Sequence, residues 1–355
     1  MTLSRLVFAP YDPRQDGEVE LLFREYSHRD NQLRAMAISK DSMVTYLKST
    51  LLEPGSQNIC LRDDGRLVGL VGLQFLPWMS EHFGLRMYAI RHLLTRSDSP
   101  LVHARLLRLV IEELPEVDFL DCRVAVDDIY AAHALEVCGF RYVGTEIFLG
   151  RTLEPNGETR IPSGMEIRCC QPADCSQVLD IVGETHVHNR FVYDPIIHEK
   201  TVQSLYRKLV AKCFDADPFK VLVAHSENGV EGFITFKMNR NFGKAAGIPC
   251  GSLDFIGIRP QTRNKGLGAA LNRIALQEMA REGAAVAAVR TLASNYPALR
   301  TCFRTGFFIT STSLHFHRWI HRPKIAPPAS APGTIKNLKF SESVATPLRE
   351  SRRSG

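Results

Sequence analysis

The sequence predicts an α/β fold of the α+β kind, built as two similar halves in tandem. Three observations predict it. Beyond residue 164, apolar runs alternate between strand-like and helix-like spacing in the order β-α-α-β-β-β-α-β-α-β. Two of those strands flank the short turn SENG and make an antiparallel hairpin. Finally, DCRVAVDDIYAAHALEVCGF aligns without gaps on AVRTLASNYPALRTCFRTGF at an offset of 167, so the first half repeats the second.

The elements of the second half follow in order. MEIRCC is a short strand. PADCSQVLDIVGET opens with Pro and Asp, which suit a helix start, and continues with helical apolar spacing. EKTVQSLYRKLVAKCF is a second amphipathic helix. FKVLVAH and VEGFITFKM form the hairpin, and GSLDFIGI is the next strand. GAALNRIALQEMAREG is a helix stopped by Gly283. AAVAAVRTLA is a strand, YPALRTCFRTG a short helix stopped by Gly306, and FFITSTSLHFHRW the last strand. In the first half, DDGRLVGLVGL matches the hairpin in character. Arg123 falls on Arg290, Ala131 on Ala298, Gly139 on Gly306, Phe140 on Phe307 and Arg151 on Arg318. The soft stretch EPNGETRIPSG marks a linker. The expected organisation is a first domain at 1–153, a linker at 154–163, a second domain at 164–322 and a disordered basic tail at 323–355.

Composition narrows the function. The 355 residues are 45% hydrophobic and 23% charged, as in a globular chain with no apolar run long enough for a membrane span. The tail carries six Lys or Arg against two Glu, so most of the net charge of +6 sits there and the body is nearly neutral. That disfavours nucleic acid as a partner. Nine cysteines, no CxxC pair and no secretory leader predict a cytoplasmic protein with free thiols and no metal.

The chemistry centres on RPQTRNKGLGAAL. Two glycines, Gly266 and Gly268, stand where a helix begins, after a strand ending at Ile258. Free N–H groups and the positive end of the helix dipole attract an anion there. Glycine lets the anion approach the backbone, and Arg263 and Lys265 add charge. The spacing differs from G-x-G-x-x-G, and no GKS or GKT follows, so nicotinamide and P-loop sites fit poorly. Where the second half has RNKGLGAAL, the first has TRSDSPLVHARLL, with no glycine.

Arg263-x-x-Gly266-x-Gly268 after an internal strand, followed by Asn295 and Gly306-Phe307, resembles the GNAT acetyltransferase superfamily, marked by R/Q-x-x-G-x-G/A. The resemblance implies two tandem GNAT-like domains, each a mixed, mostly antiparallel twisted sheet flanked by helices, with the N-terminal copy degenerate. It implies acetyl-CoA as co-substrate and direct transfer of its acetyl group to a small-molecule primary amine. Ile256, Gly257 and Ile258 would meet the acetyl-pantetheine end. Arg263, Asn264, Lys265, Gly266, Leu267, Gly268 and Ala269 would hold the pyrophosphate, and Asn295 the pantetheine arm. A homodimer is compatible with the resemblance. LPWMSEHFGLRMYAI, HNRFVYDP and STSLHFHRW are similar to stretches of bacterial sugar-nucleotide amine acetyltransferases such as dTDP-fucosamine acetyltransferase, although Met79 replaces their usual Asp. A second reading makes Trp78 and Phe83 core aromatics.

The transfer needs a base for the amine and an acid for the leaving thiolate. The family's tyrosine, seven residues after the asparagine, is Cys302 here, and Leu135 is its first-half counterpart. Cys302 reads either as the acid or as a buried apolar residue. Tyr296 lies too far back along the helix to substitute. Asp254 is a candidate catalytic carboxylate beside the expected acetyl group. Arg290, where some relatives carry a basic Glu, suits a substrate phosphate, whereas its match to Arg123 suits a structural role. Arg190, Tyr193 and Tyr206 are candidate acceptor contacts, and His186, His188, His315 and His317 are candidates that read equally as structural. Two functions remain open: an acetyltransferase, acting on a sugar-nucleotide amine, another small amine or a protein amine, and a CoA-binding pseudoenzyme or scaffold.

Overall fold

The computed structural model describes residues 6–114, 116–154, 159–185, 188–215 and 217–321. The first half runs β1 (Leu6–Pro10), α1 (Asp16–Glu25), α2 (Asp30–Ala35), α3 (Lys40–Leu51), β2 (Ser56–Asp63), β3 (Arg66–Phe75), α4 (Pro77–Phe83), β4 (Met87–Thr95), α5 (Pro100–Glu112), β5 (Phe119–Ala125), α6 (Ile129–Val137) and β6 (Arg141–Thr152). The second runs β7 (Glu166–Cys169), α7 (Cys175–Glu184), α8 (Glu199–Asp215), β8 (Phe219–Ser226), β9 (Gly229–Met238), α9 (Arg240–Ala246), β10 (Cys250–Ile258), α10 (Leu267–Arg281), β11 (Val286–Leu292), α11 (Tyr296–Arg304) and β12 (Phe308–Trp319). The expected linker falls between β6 and β7. Residues 155–158 of it, and the expected tail at 323–355, lie outside the described residues.

Local chemistry sets the element ends. Ser39 caps α3 by accepting from the Ser42 N–H at 3.0 Å. Gln171 and Asp174 form a reciprocal capping box ahead of α7. Asp64 and Gly65 both take positive φ between β2 and β3, the geometry of a tight hairpin. The expected strands and helices of the second half are all present, with bounds shifted by a residue or a few. The seven-residue α9 is an addition. Its sequence, RNFGKAA, has a glycine inside and no clean apolar period, so nothing in its pattern marks it as a helix.

All twelve strands join one sheet in the order β1-β2-β3-β4-β5-β12-β6-β11-β10-β9-β8-β7. Only the β4–β5 and β10–β11 pairs are parallel. The last strand of each half has crossed over. β12 pairs with β5 of the first half, Ser313 opposite Ala125 and Trp319 opposite Phe119. β6 pairs with β11 of the second, Thr152 opposite Val286 and Glu146 opposite Leu292. The pairs β5/β11, α6/α11 and β6/β12 each begin 167 residues apart, the offset of the sequence alignment. The halves thus share one sheet within a single unit, Met1–Arg322.

Strand alternation sorts the core onto two faces. Along β8, Val221 and Val223 pack with α7 and α8, while Leu222 and Ala224 pack with α10. In the first half, Leu61, Val71 and Leu73 meet α5, while Cys60, Leu67 and Leu70 meet α1 and α3. The crossing extends to the cores. Met87 and Phe119 of the first half are buried with Phe191, Val202 and Leu205 of the second. Ala246, Cys250 and Val286 of the second are buried with Leu33, Met43 and Leu47 of the first. Each fully buried large apolar side chain contributes about 1.5–3 kcal/mol, so these mixed clusters bind the halves together.

Candidate active site

The parallel pairing of β10 with β11 runs only from Cys250–Val286 to Leu253–Val289. A bulge then shifts β10 between Leu253 and Phe255, and its remaining residues pair with β9 alone. The two strands therefore part, and from Phe255 to Ile258 β10 has no partner among the described residues on its β11 side. At the end of this opening the chain turns into α10 through Asn264 and Gly266, both at positive φ (62° and 85°). Among the described residues, no backbone carbonyl accepts from the N–H groups of Asn264 through Ala269. Arg263 and Lys265 stand exposed beside them. This arrangement, at the start of a 15-residue helix, has the donors and charge that suit an anion.

The glycines there have separate reasons. A Cβ on Gly268 would meet nothing closer than Thr301 Cγ2 at 3.7 Å and Ile256 Cδ1 at 3.8 Å, so no protein atom occupies that space. Gly266 needs its left-handed backbone, with open space around it. Gly257 differs: a Cβ would lie 2.6 Å from the Phe233 ring, so packing demands glycine at that position. The residues present therefore fit a diphosphate and a thin arm reaching into the splay. In the first half, Ser99 and Pro100 open α5, and Asp98 stands just before them, so that helix start offers fewer donors and a repelling charge.

Beside the splay, the face that elsewhere packs on α1, α3, α7 and α8 turns polar. Asp121 and Arg123 of β5, Glu146 of β6, Arg290 of β11, and His315 and His317 of β12 alternate with the apolar residues of the opposite face. Asp121 is buried, bonded to His315 Nε2 at 2.7 Å and to Arg190 at 2.6 Å. Burial opposes its charge, yet Arg190 and His315 hold its carboxyl well below the usual carboxylate range. Burial pushes His315 down, against the pull of Asp121. His317 Nδ1 meets Asp194 at 2.7 Å, and Trp319 donates to the same oxygen at 3.0 Å. Glu146 Oε2 takes an ion pair from Arg123 and a longer one, 4.0 Å, from Arg290. Both guanidiniums lie over the Phe148 ring. The α7–α8 segment closes over this patch. Tyr193 OH meets Ser294 Oγ at 3.0 Å, and Asn189 bonds the buried Tyr206 hydroxyl.

The residues expected from sequence fall into place unevenly. Ile256, Ile258 and the 263–269 turn border the opening as described. Asp254 sits on the bulge, 3.3 Å from Lys237 Nζ and bonded to Ser252. Asn295 caps α11: its Oδ1 accepts from Ala298 N at 3.3 Å and its Nδ2 donates to Thr291 at 2.9 Å. Asp128 caps α6 in the same way, so the side chain placed on a pantetheine arm is engaged in a cap. Cys302 packs with Leu271, Leu299 and Phe307, and burial pushes its thiol up to about 11. Leu135 occupies the matching core position, which suits the packing alternative for Cys302. His315 and His317 are joined to carboxylates, and His186 lies outside the described residues. Trp78 and Phe83 pack on the α8 side, Lys212 Nζ lying 4.5 Å over the indole and Phe83 5.2 Å from Phe191. Glu146, Asp121 and Asp194 were not anticipated. For Asp121 and Glu146 the available signal was a carboxylate inside a strand, which in a buried layer needs a reason; Asp194, between α7 and α8, gave no such signal.

Residues 188–307 match the family model described as Acetyltransferase (GNAT) family. The chain is 20% identical over 286 residues to the spore coat polysaccharide biosynthesis protein SpsD of Bacillus subtilis, covering 79% of this chain and 96% of that one. Among solved structures it resembles a GCN5-related N-acetyltransferase from Sphaerobacter thermophilus, with a TM-score of 0.61, 14% identity, and 92% and 98% of the two chains covered. It also resembles a tandem GNAT protein from the clavulanic acid biosynthesis pathway, with a TM-score of 0.50, 15% identity, and 88% and 98% covered. Segment 188–307 thus matches the GNAT acetyltransferase family, and the chain around it takes the tandem GNAT fold.

Proposed function

We propose that this protein transfers an acetyl group from acetyl-CoA to a primary amine borne by an amino sugar, with a sugar nucleotide as first choice of acceptor. The observation that carries the reading is the set of free N–H groups at the glycine turn into α10, opening onto the parted strands β10 and β11. A diphosphate satisfies the N–H groups, and the parted strand offers backbone donors to the oxyanion of the tetrahedral intermediate. Among the described residues no cluster of metal ligands is found, and no helix is long and apolar enough to cross a membrane. All nine cysteines are free, which suits a reducing cytoplasm. Arg123, Arg190 and Arg290 line the acceptor side and suit a phosphate-bearing sugar. The similarity to a polysaccharide biosynthesis protein points the same way.

The test is free-thiol release from acetyl-CoA with a panel of amines: glucosamine, glucosamine 1-phosphate, an amino-sugar nucleotide and a lysine peptide. A sugar-borne amine is expected to give the highest rate. Gly268→Glu is expected to fold normally, because Thr301 and Ile256 leave room for a Cβ, and to weaken acetyl-CoA by about 100-fold or more through charge repulsion. Unchanged affinity in that variant removes the site. Tight acetyl-CoA binding with no amine-dependent thiol release leaves the CoA-binding scaffold as the function.

A further inference from the structure

The second half's site is incomplete without the first half. β11 has parted from β10 where the reaction is placed, and its other neighbour is β6, a first-half strand, with Glu146 directly opposite Leu292. Leu292 lies three residues beyond Val289, the last residue of β11 paired with β10, so it borders the stretch where the two strands have parted. Glu146 therefore stands one strand from the opening and faces the side covered by α8. Its side chain is 15% exposed, buried enough to be defined and open enough to be reached.

The other carboxylates of the patch are committed. Asp121 holds His315 and Arg190, Asp194 holds His317 and Trp319, and Asp254 holds Lys237. Glu146 differs, because both of its arginine partners approach the same oxygen, Oε2, and among the described residues Oε1 carries no ion pair. We propose that Glu146, supplied by the degenerate half, receives the acceptor's ammonium group at Oε1 and takes its proton.

This assignment rests on the acetyltransferase reading above and supplies the base that reading lacks. The ammonium gives one proton to Glu146, which passes it to solvent. The freed nitrogen lone pair attacks the thioester carbonyl carbon; the C–N bond forms and the C–S bond breaks. The second proton lost from nitrogen goes to the departing thiolate. The groups facing Glu146 are Arg123 from β5, Arg290 from β11, His315 from β12 and Tyr206 from α8. Burial opposes the charge of Glu146, but Arg123 and Arg290 lower its pKa, so the carboxylate is present at neutral pH.

The experiment compares wild type, Glu146→Gln and Glu146→Asp using whichever panel amine reacts fastest. Glu146→Gln is expected to lose about 100-fold in kcat/KM near pH 7, the usual contribution of a general base. Its acetyl-CoA affinity by calorimetry stays within about twofold of wild type. The deficit shrinks several-fold near pH 9.5, where more of the amine is already neutral and needs no carboxylate. Glu146→Asp retains part of the rate and the wild-type pH profile. A deficit of equal size at both pH values overturns the proposal, because a carboxylate that only anchors Arg123 and Arg290 predicts that. Equal turnover in wild type and Glu146→Gln overturns it as well. A wild type that turns over no panel amine instead refutes the underlying reading, and Glu146 as base falls with it.

Discussion

Gly257 and Gly268 lie eleven residues apart, and the structure gives them different reasons to be glycine. Gly257 makes room for the Phe233 ring, whereas Gly268 faces space that no protein atom fills. Only the second reason implies a ligand. Cys302 separates alternatives in the same way. It is buried in an apolar cluster with Leu271, Leu299 and Phe307, and its counterpart Leu135 fills an equivalent site. Cys302→Ala is therefore expected to cost about 1 kcal/mol of stability, as a small buried truncation does, and to leave turnover unchanged at neutral and alkaline pH. A rate that falls only at alkaline pH would instead make the thiol the proton donor. The motif residues were legible in sequence because loop chemistry is local. Glu146 was not, because its meaning depends on which strand lies beside it, and nothing near position 146 records that its neighbour is β11.

At the scale of elements, the offset of 167 foretold that β5/β11, α6/α11 and β6/β12 would correspond, and they do residue for residue. It could not foretell the exchange of β6 and β12, since identical local patterns serve either pairing. β4, in the first half, carries a further consequence. His92 is buried on it, Nε2 lying 3.0 Å from Thr50 Oγ1 and the ring edge-on to Phe23 at 5.1 Å. Burial pushes it down to about 3 from an ordinary value near 6.5. Between those values the unfolded chain holds a proton on this ring and the folded chain does not. Stability contributed by His92 is therefore intact above about pH 6.5 and falls as pH drops through that window, by about 2 kcal/mol at pH 5. Urea midpoints at neutral pH and at pH 5 should diverge more for wild type than for His92→Asn. Coincident pH profiles would assign acid sensitivity to other groups.

At the scale of the molecule, the first half is a structural part of the second. β11 forms seven register pairs with β6, and β12 lies between β5 and β6, so a second half cut free loses both neighbours of its last strand. It also uncovers Ala246, Cys250 and Val286, whose cover comes from α2 and α3, and it loses Glu146 and Arg123 from the polar patch. Exposed edges of this length favour aggregation over folding. The fragment 164–322 alone is therefore expected to show no cooperative thermal transition and no binding of acetyl-CoA, even though it carries the whole glycine turn. Coexpressed with 1–163, it should be recovered as a soluble complex that melts cooperatively and binds acetyl-CoA, because the crossed strands can pair between chains as they do within one. Calorimetry and size-exclusion chromatography on both preparations read this directly. An isolated 164–322 that folds and binds with the affinity of the full chain would show that β11 closes its ladder without β6, and the first half would then be an attachment rather than a wall of the site.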